Sequence, residues 1–105
     1  MKQGSFLIFF FLFTLTLSAS YISGKYTGNG AATKAITGLG FQPEVVLVKS
    51  SANDDGWIAT SSMTAGYAKL LTGSDAPATG YISSFDSDGF TVGNSAKSNT
   101  NNVVY

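Results

Sequence analysis

The sequence has no cysteine, no histidine and no arginine among its 105 residues, and only two prolines and one tryptophan. Without cysteine and histidine there is no thiol nucleophile, no Ser-His-Asp triad and no ordinary zinc site. No serine stands three residues before a lysine, so the serine–lysine nucleophile pattern is missing too. Disulfides, the usual reinforcement of small secreted domains, are excluded outright. Charge is sparse and balanced, six lysines against six acids. That balance lacks the basic patch that displaces counterions, which argues against nucleic acid as a partner. Phosphate loops fail as well: Gly38-Leu39-Gly40 leads into Pro43 and an apolar strand, not into glycine and a helix.

A long apolar run occurs only at the start. Lys2 precedes Phe6–Leu17, a twelve-residue stretch that holds five of the eight phenylalanines, and Ser18-Ala19-Ser20 follows with small side chains. The pattern predicts a signal peptide over 1–20, cleaved after Ser20. An uncleaved anchor is the alternative, and the only route to a membrane. Twelve residues of helix cover about 18 Å, against a hydrocarbon core of roughly 30 Å. The expected location is therefore secreted, cell-surface or periplasmic.

Residues 21–105 then form one module of 85 residues with five lysines and six acids. A chain of this length buries about 60–65% of the surface that its unfolded form exposes, so its core is small. With no disulfide, stability has to come from sheet packing, self-association or membership of a larger assembly.

Short strands punctuated by turn residues dominate the module. Ser23–Thr27 reads as a strand, and Gly28-Asn29-Gly30 as a tight type I′ turn that returns it along Ala31–Thr37. Pro43 interrupts ladder pairing before Glu44–Lys49. Val45-Val46-Leu47-Val48 shows no polar alternation, which predicts a central strand covered on both faces. Asn53-Asp54-Asp55-Gly56 is a turn. Trp57–Met63 alternates, with Trp57, Ala59 and Met63 on one face and Ile58, Thr60 and Ser62 on the other. Tyr67–Leu71 is expected as a strand, Thr72–Thr79 as a loop. Tyr81–Phe85 and Phe90–Val92 form a hairpin with Phe85 beside Phe90. Asn94–Asn102 is a polar loop, and Val103-Val104-Tyr105 is the opening of a strand. The expected core comprises Ile36, Phe41, Val46, Val48, Trp57, Ile58, Leu70, Ile82, Phe85, Phe90 and Val92.

Candidate chemistry is limited to carboxylates and aromatic rings. Glycoside hydrolysis needs two carboxyl groups about 5 to 9 Å apart across a cleft. Apart from Glu44, the acids lie in turns, where a short carboxylate bonds nearby backbone amides. Asp86 and Asp88 flank one such turn and are the candidate metal ligands. The residues of a complete calcium loop do not follow, since Phe90 and Val92 stand there instead. No cofactor is implied. Tyr26, Trp57, Tyr67 and Tyr81 are the candidate ligand-binding residues, because aromatic faces suit sugar stacking.

Tyr26-Thr27-Gly28-Asn29-Gly30, then Ile36-Thr37-Gly38-Leu39-Gly40-Phe41-Gln42-Pro43 and the valine-rich strand, resemble β-sandwich modules of bacteriophage tail and tail-fibre proteins. Similar modules occur in uncharacterised bacterial proteins. Trp57-Ile58 and the Phe85–Gly93 hairpin follow in the same order. The resemblance implies a structural or adhesive role with no catalytic residues. Such modules have a longer middle and a full closing strand, so a shortened or C-terminally truncated module is expected.

The expectation is an all-β domain: a small antiparallel β-sandwich, jelly-roll or lectin-like or partly open, with six to seven strands. Its role is non-enzymatic, structural or adhesive, in an exported or phage-tail-like assembly. It would be virion-associated if the chain is a true phage protein. The alternative is a carbohydrate-binding module that recognises surface glycans. Self-association is expected through Val103-Val104-Tyr105, whether that stub pairs at an edge or is left unpaired.

Overall fold

A computed structural model describes residues 20–52 and 55–105. The segment expected to be a signal peptide lies almost wholly outside these residues. The described chain holds six strands and no helix: β1 (Lys34–Ile36), β2 (Val45–Lys49), β3 (Gly56–Thr60), β4 (Lys69–Leu70), β5 (Ile82–Asp86) and β6 (Gly89–Val92). They form two three-stranded antiparallel sheets, ordered β1-β6-β5 and β2-β3-β4. The fold is all-β.

The two sheets contribute to one core. Val46 and Val48 of β2, Trp57 and Ala59 of β3, Ile82 of β5, and Phe90 and Val92 of β6 are buried together, with Ala68 and Tyr105. Ile36, Leu70 and Phe85 pack against them, and Phe85 is paired with Phe90 as expected. Phe41 stays outside this cluster.

β2 differs from its expectation. It lies at the edge of its sheet, with buried and exposed residues alternating along it. Val45 and Leu47 are 59% and 58% exposed. Ile58, directly opposite Leu47, shares that outer face and is half-buried instead of core. A module of this length has too little chain to build a third layer, so an apolar strand is covered on one side only.

The first expected hairpin is also absent. A type I′ turn needs positive φ at both central residues. Gly30 has φ +70°, but among non-glycine described residues only Asn102 is positive, at +65°. Asn29 instead accepts a 3.0 Å bond from the Ala31 amide, the local turn that asparagine side chains favour. Freed from the return strand, residues 26–28 pair with the C-terminus: Tyr26 N–H donates to the Tyr105 carbonyl at 3.1 Å, Tyr105 N–H to Tyr26 at 2.9 Å, and Gly28 N–H to Val103 at 2.8 Å. β1 takes β6 as its partner.

This pairing removes the stub as a free template. Val104 lies opposite Thr27, and its carbonyl accepts the Ser51 amide at 2.9 Å on the other side.

Candidate functional surfaces

The segment 94–102, expected as a polar loop, holds the most deeply buried polar side chains. Ser98 and Asn99 are almost fully buried. The Asn99 amide accepts from Asn29 N–H at 2.9 Å and donates to the Ala31 carbonyl at 3.0 Å, while Gly30 N–H reaches the Asn99 carbonyl at 2.9 Å. Three bonds clamp the 29–31 turn onto this loop. Burial costs little when every polar group has a partner. The only signal in the sequence was its asparagine content, which looks the same in a solvated loop.

Of the four candidate aromatics, Trp57 and Tyr81 come together, while Tyr26 and Tyr67 lie apart from them and from each other. Trp57, 5% exposed, lies inside β3 and stacks on Tyr81 with ring centroids 3.4 Å apart and planes 15° apart. Its indole N–H is buried without an acceptor among the described residues. Tyr26 stacks on Tyr105 at 5.2 Å and meets the Phe90 edge at 6.3 Å. Its hydroxyl donates to the Ser98 carbonyl at 2.8 Å. Burial, and then the neighbouring Tyr105, push the Tyr26 pKa well above the ordinary phenol value. Tyr67, 39% exposed, is the most open of the four. It lines a shallow depression of about 260 Å³ with Met63, Gly66, Ile82 and Phe85, at the ends of β3 and β5. Trp57, Tyr81 and Tyr26 pack in ring pairs while Tyr67 stands alone at the surface, so the four do not form one exposed platform.

Asp86 and Asp88 both have protein partners. Asp86 accepts from Ser84 Oγ at 2.8 Å and Thr91 Oγ1 at 2.7 Å. Asp88 accepts from Gly38 N–H at 3.0 Å and Gly40 N–H at 2.6 Å, and so ties the Gly38–Gly40 corner to the β5–β6 turn. Both glycines have positive φ there, 88° and 83°. No cluster of three potential metal ligands occurs among the described residues.

An ion pair that sequence reasoning missed joins Lys97 to Asp55, just before β3. The hydrogen bond that Lys97 donates to the Asp55 carboxylate raises the Lys97 pKa, with burial opposing it and the charges of Asp55, Tyr81 and Asp75 adding to it. The partners of this pair lie forty-two positions apart in sequence, a separation at which spacing carries no signal.

The remaining feature is the outer face of β2-β3-β4. Val45, Leu47 and Leu71 are exposed there around Ile58. Among the described residues, no strand pairs with the far edge of β2.

These features define a class: an all-β module of two small antiparallel sheets with an open apolar edge. Residues 18–105 match the family described as a domain of unknown function (DUF7483), and the chain belongs to that family. No curated protein and no solved structure matches it. Among the described residues, no helix is long and apolar enough to cross a membrane.

Proposed function

We propose that this chain is a non-enzymatic structural or adhesive module of an exported, phage-tail-like assembly. Its two sheets pack as a small β-sandwich, with the Trp57–Tyr81 stack and Val46 and Val48 of β2 between them. Export would be directed by Phe6–Leu17, and the resemblance to tail and tail-fibre modules agrees with an extracellular or virion-associated role. The observation that carries the reading is the β2 edge, unpaired among the described residues, with Val45, Leu47 and Leu71 exposed on the face beside it, since exposed apolar side chains grouped on one face mark interaction surfaces. The packing of Trp57, Tyr81 and Tyr26 in ring pairs points the same way.

The carbohydrate alternative has one observation in its favour. Tyr81, half-buried, is near enough to the Asp55–Lys97 pair to influence the Lys97 charge, and a ring with hydrogen-bonding groups in its neighbourhood suits a sugar. Expression of the full chain in a bacterial host, followed by fractionation and a glycan array, separates the two. Recovery outside the cytoplasm as a high-mass species without glycan binding is the expected result. A monomer that binds a defined glycan saturably, and loses binding on Tyr81→Ala, would overturn the structural reading.

A further inference from the structure

Two strands bound each sheet: β1 and β5 in one, β2 and β4 in the other. Exposed edges offer amides and carbonyls to any passing chain, and folded proteins blunt them with brevity, charge or bulges. Three of these edges are blunted. β1 has three residues and carries Lys34, while β4 has two and carries Lys69. β5 is interrupted by a register shift between Ile82 and Ser84. β2 differs, with five residues in unbroken register. The bond from Ser61 N–H to the Glu44 carbonyl, at 2.8 Å, places the even-numbered backbone groups toward β3. Those of Val45 and Leu47 therefore point to the open edge. No hydrogen bond occupies them among the described residues.

We propose that β2 is where a second copy of this chain docks, strand against strand and antiparallel, about a two-fold axis at Leu47. The proposal rests on the structural reading above and names its surface and partner. Leu47 is the middle residue of β2 and directs its backbone outward, so a two-fold maps it onto itself. The two copies then exchange both N–H···O bonds there. Charge selects the direction. Glu44 precedes the strand and Lys49 ends it, so antiparallel docking sets the acidic end of one strand beside the basic end of the other. Parallel docking would set like charges together. The joined sheets carry Val45, Leu47, Ile58 and Leu71 of both copies along one face. A five-residue strand supplies far fewer than the roughly 20–30 residues a side of a standard interface. The contact is therefore weak and reversible in solution, and gains strength by repetition within an assembly.

The native chain contains no cysteine, so single introduced cysteines report position. The experiment uses the full chain, with mild detergent for its apolar start. In Leu47→Cys the two sulfurs face each other across the axis. A hydrogen-bonded antiparallel pair has Cα atoms about 5.5 Å apart, inside the range that a disulfide spans. Mild oxidation is expected to link Leu47→Cys into dimers several-fold faster than Ser87→Cys, an exposed control at the β5–β6 turn. Leu47→Lys brings two ammonium groups together and is expected to weaken dimerisation in sedimentation by about tenfold or more. Val104→Lys, at the paired C-terminus, is expected to leave it unchanged. Equal linking rates at 47 and 87, or a dimer that survives Leu47→Lys, would overturn the proposal. Assembly that persists without linking at 47 overturns the β2 interface and leaves the structural reading standing. A chain that never assembles overturns both.

Discussion

Replacing Asn99 by alanine removes two side-chain hydrogen bonds from a residue that is 1% exposed. Each bond contributes about 0.5–1.5 kcal/mol net. The released partners, Asn29 N–H and the Ala31 carbonyl, belong to exposed residues and can take up water, which keeps the penalty near the middle of that range. With the lost packing of the amide, the expected destabilisation is about 2–3 kcal/mol. A module of this size holds about 4–13 kcal/mol in total, so the loss is a substantial share. It corresponds to a fall in melting temperature of about 10–20 °C. Asn99→Asp is the sharper probe. It keeps the acceptor for Asn29 but sets a carboxylate oxygen against the Ala31 carbonyl. Only the protonated acid can donate there, and burial disfavours the charge, so its folded pKa lies above the unfolded value. Its stabilising contribution is complete below the ordinary aspartate pKa, about 3.9, and is lost as pH rises through the folded value. Thermal melts followed by circular dichroism at pH 4 and 7 check both variants. An Asn99→Ala change within about 0.5 kcal/mol of the parent would refute the clamp. So would Asn99→Asp melting higher at pH 7 than at pH 4, relative to the parent.

Gly28 and Gly38 separate two reasons for glycine. A Cβ at Gly28 would lie 2.1 Å from the Thr100 carbonyl oxygen, whereas Gly38 has open space but φ +88°. Gly28→Ala is expected to cost about 3 kcal/mol or more, and Gly38→Ala about 1–2, by denaturant titration. Tyr26, with its pKa raised by burial and then by Tyr105, holds its full stabilising contribution below the ordinary tyrosine pKa, about 10. That contribution is lost as pH rises towards the folded value. Tyr26→Phe is expected to flatten this alkaline decline while costing about 1 kcal/mol at neutral pH through the Ser98 carbonyl, as melts at pH 8 and 11 would report. Asp88→Ala frees the Gly38 and Gly40 amides. It is expected to cost about 1–2 kcal/mol and to speed hydrogen exchange at those two amides.

Local chemistry was enough for the sequence to determine the all-β class, the β5–β6 hairpin and most of the core. Asp-Ser-Asp-Gly between Phe85 and Phe90 admits a tight turn, and the pairing of Phe85 with Phe90 follows from it. Trp57 and Ala59 share the face that alternation assigned to them, and it is the buried one, whereas the strand ends at Thr60 and leaves Met63 outside it. What the strands paired with was decided elsewhere. Gly28-Asn29-Gly30 is compatible with a hairpin, yet bonds from residues 99–105, seventy positions away, hold the chain in another path. Local preference of about 1 kcal/mol yields to several such bonds made together. The same limit applies to Val45-Val46-Leu47-Val48. An apolar strand reads alike at the centre of a sheet and at its edge, because composition records what a strand can bury, not how many layers the chain has left to cover it. The tertiary structure placed β2 at an edge, and so left Val45 and Leu47 of an expected central strand exposed on its outer face.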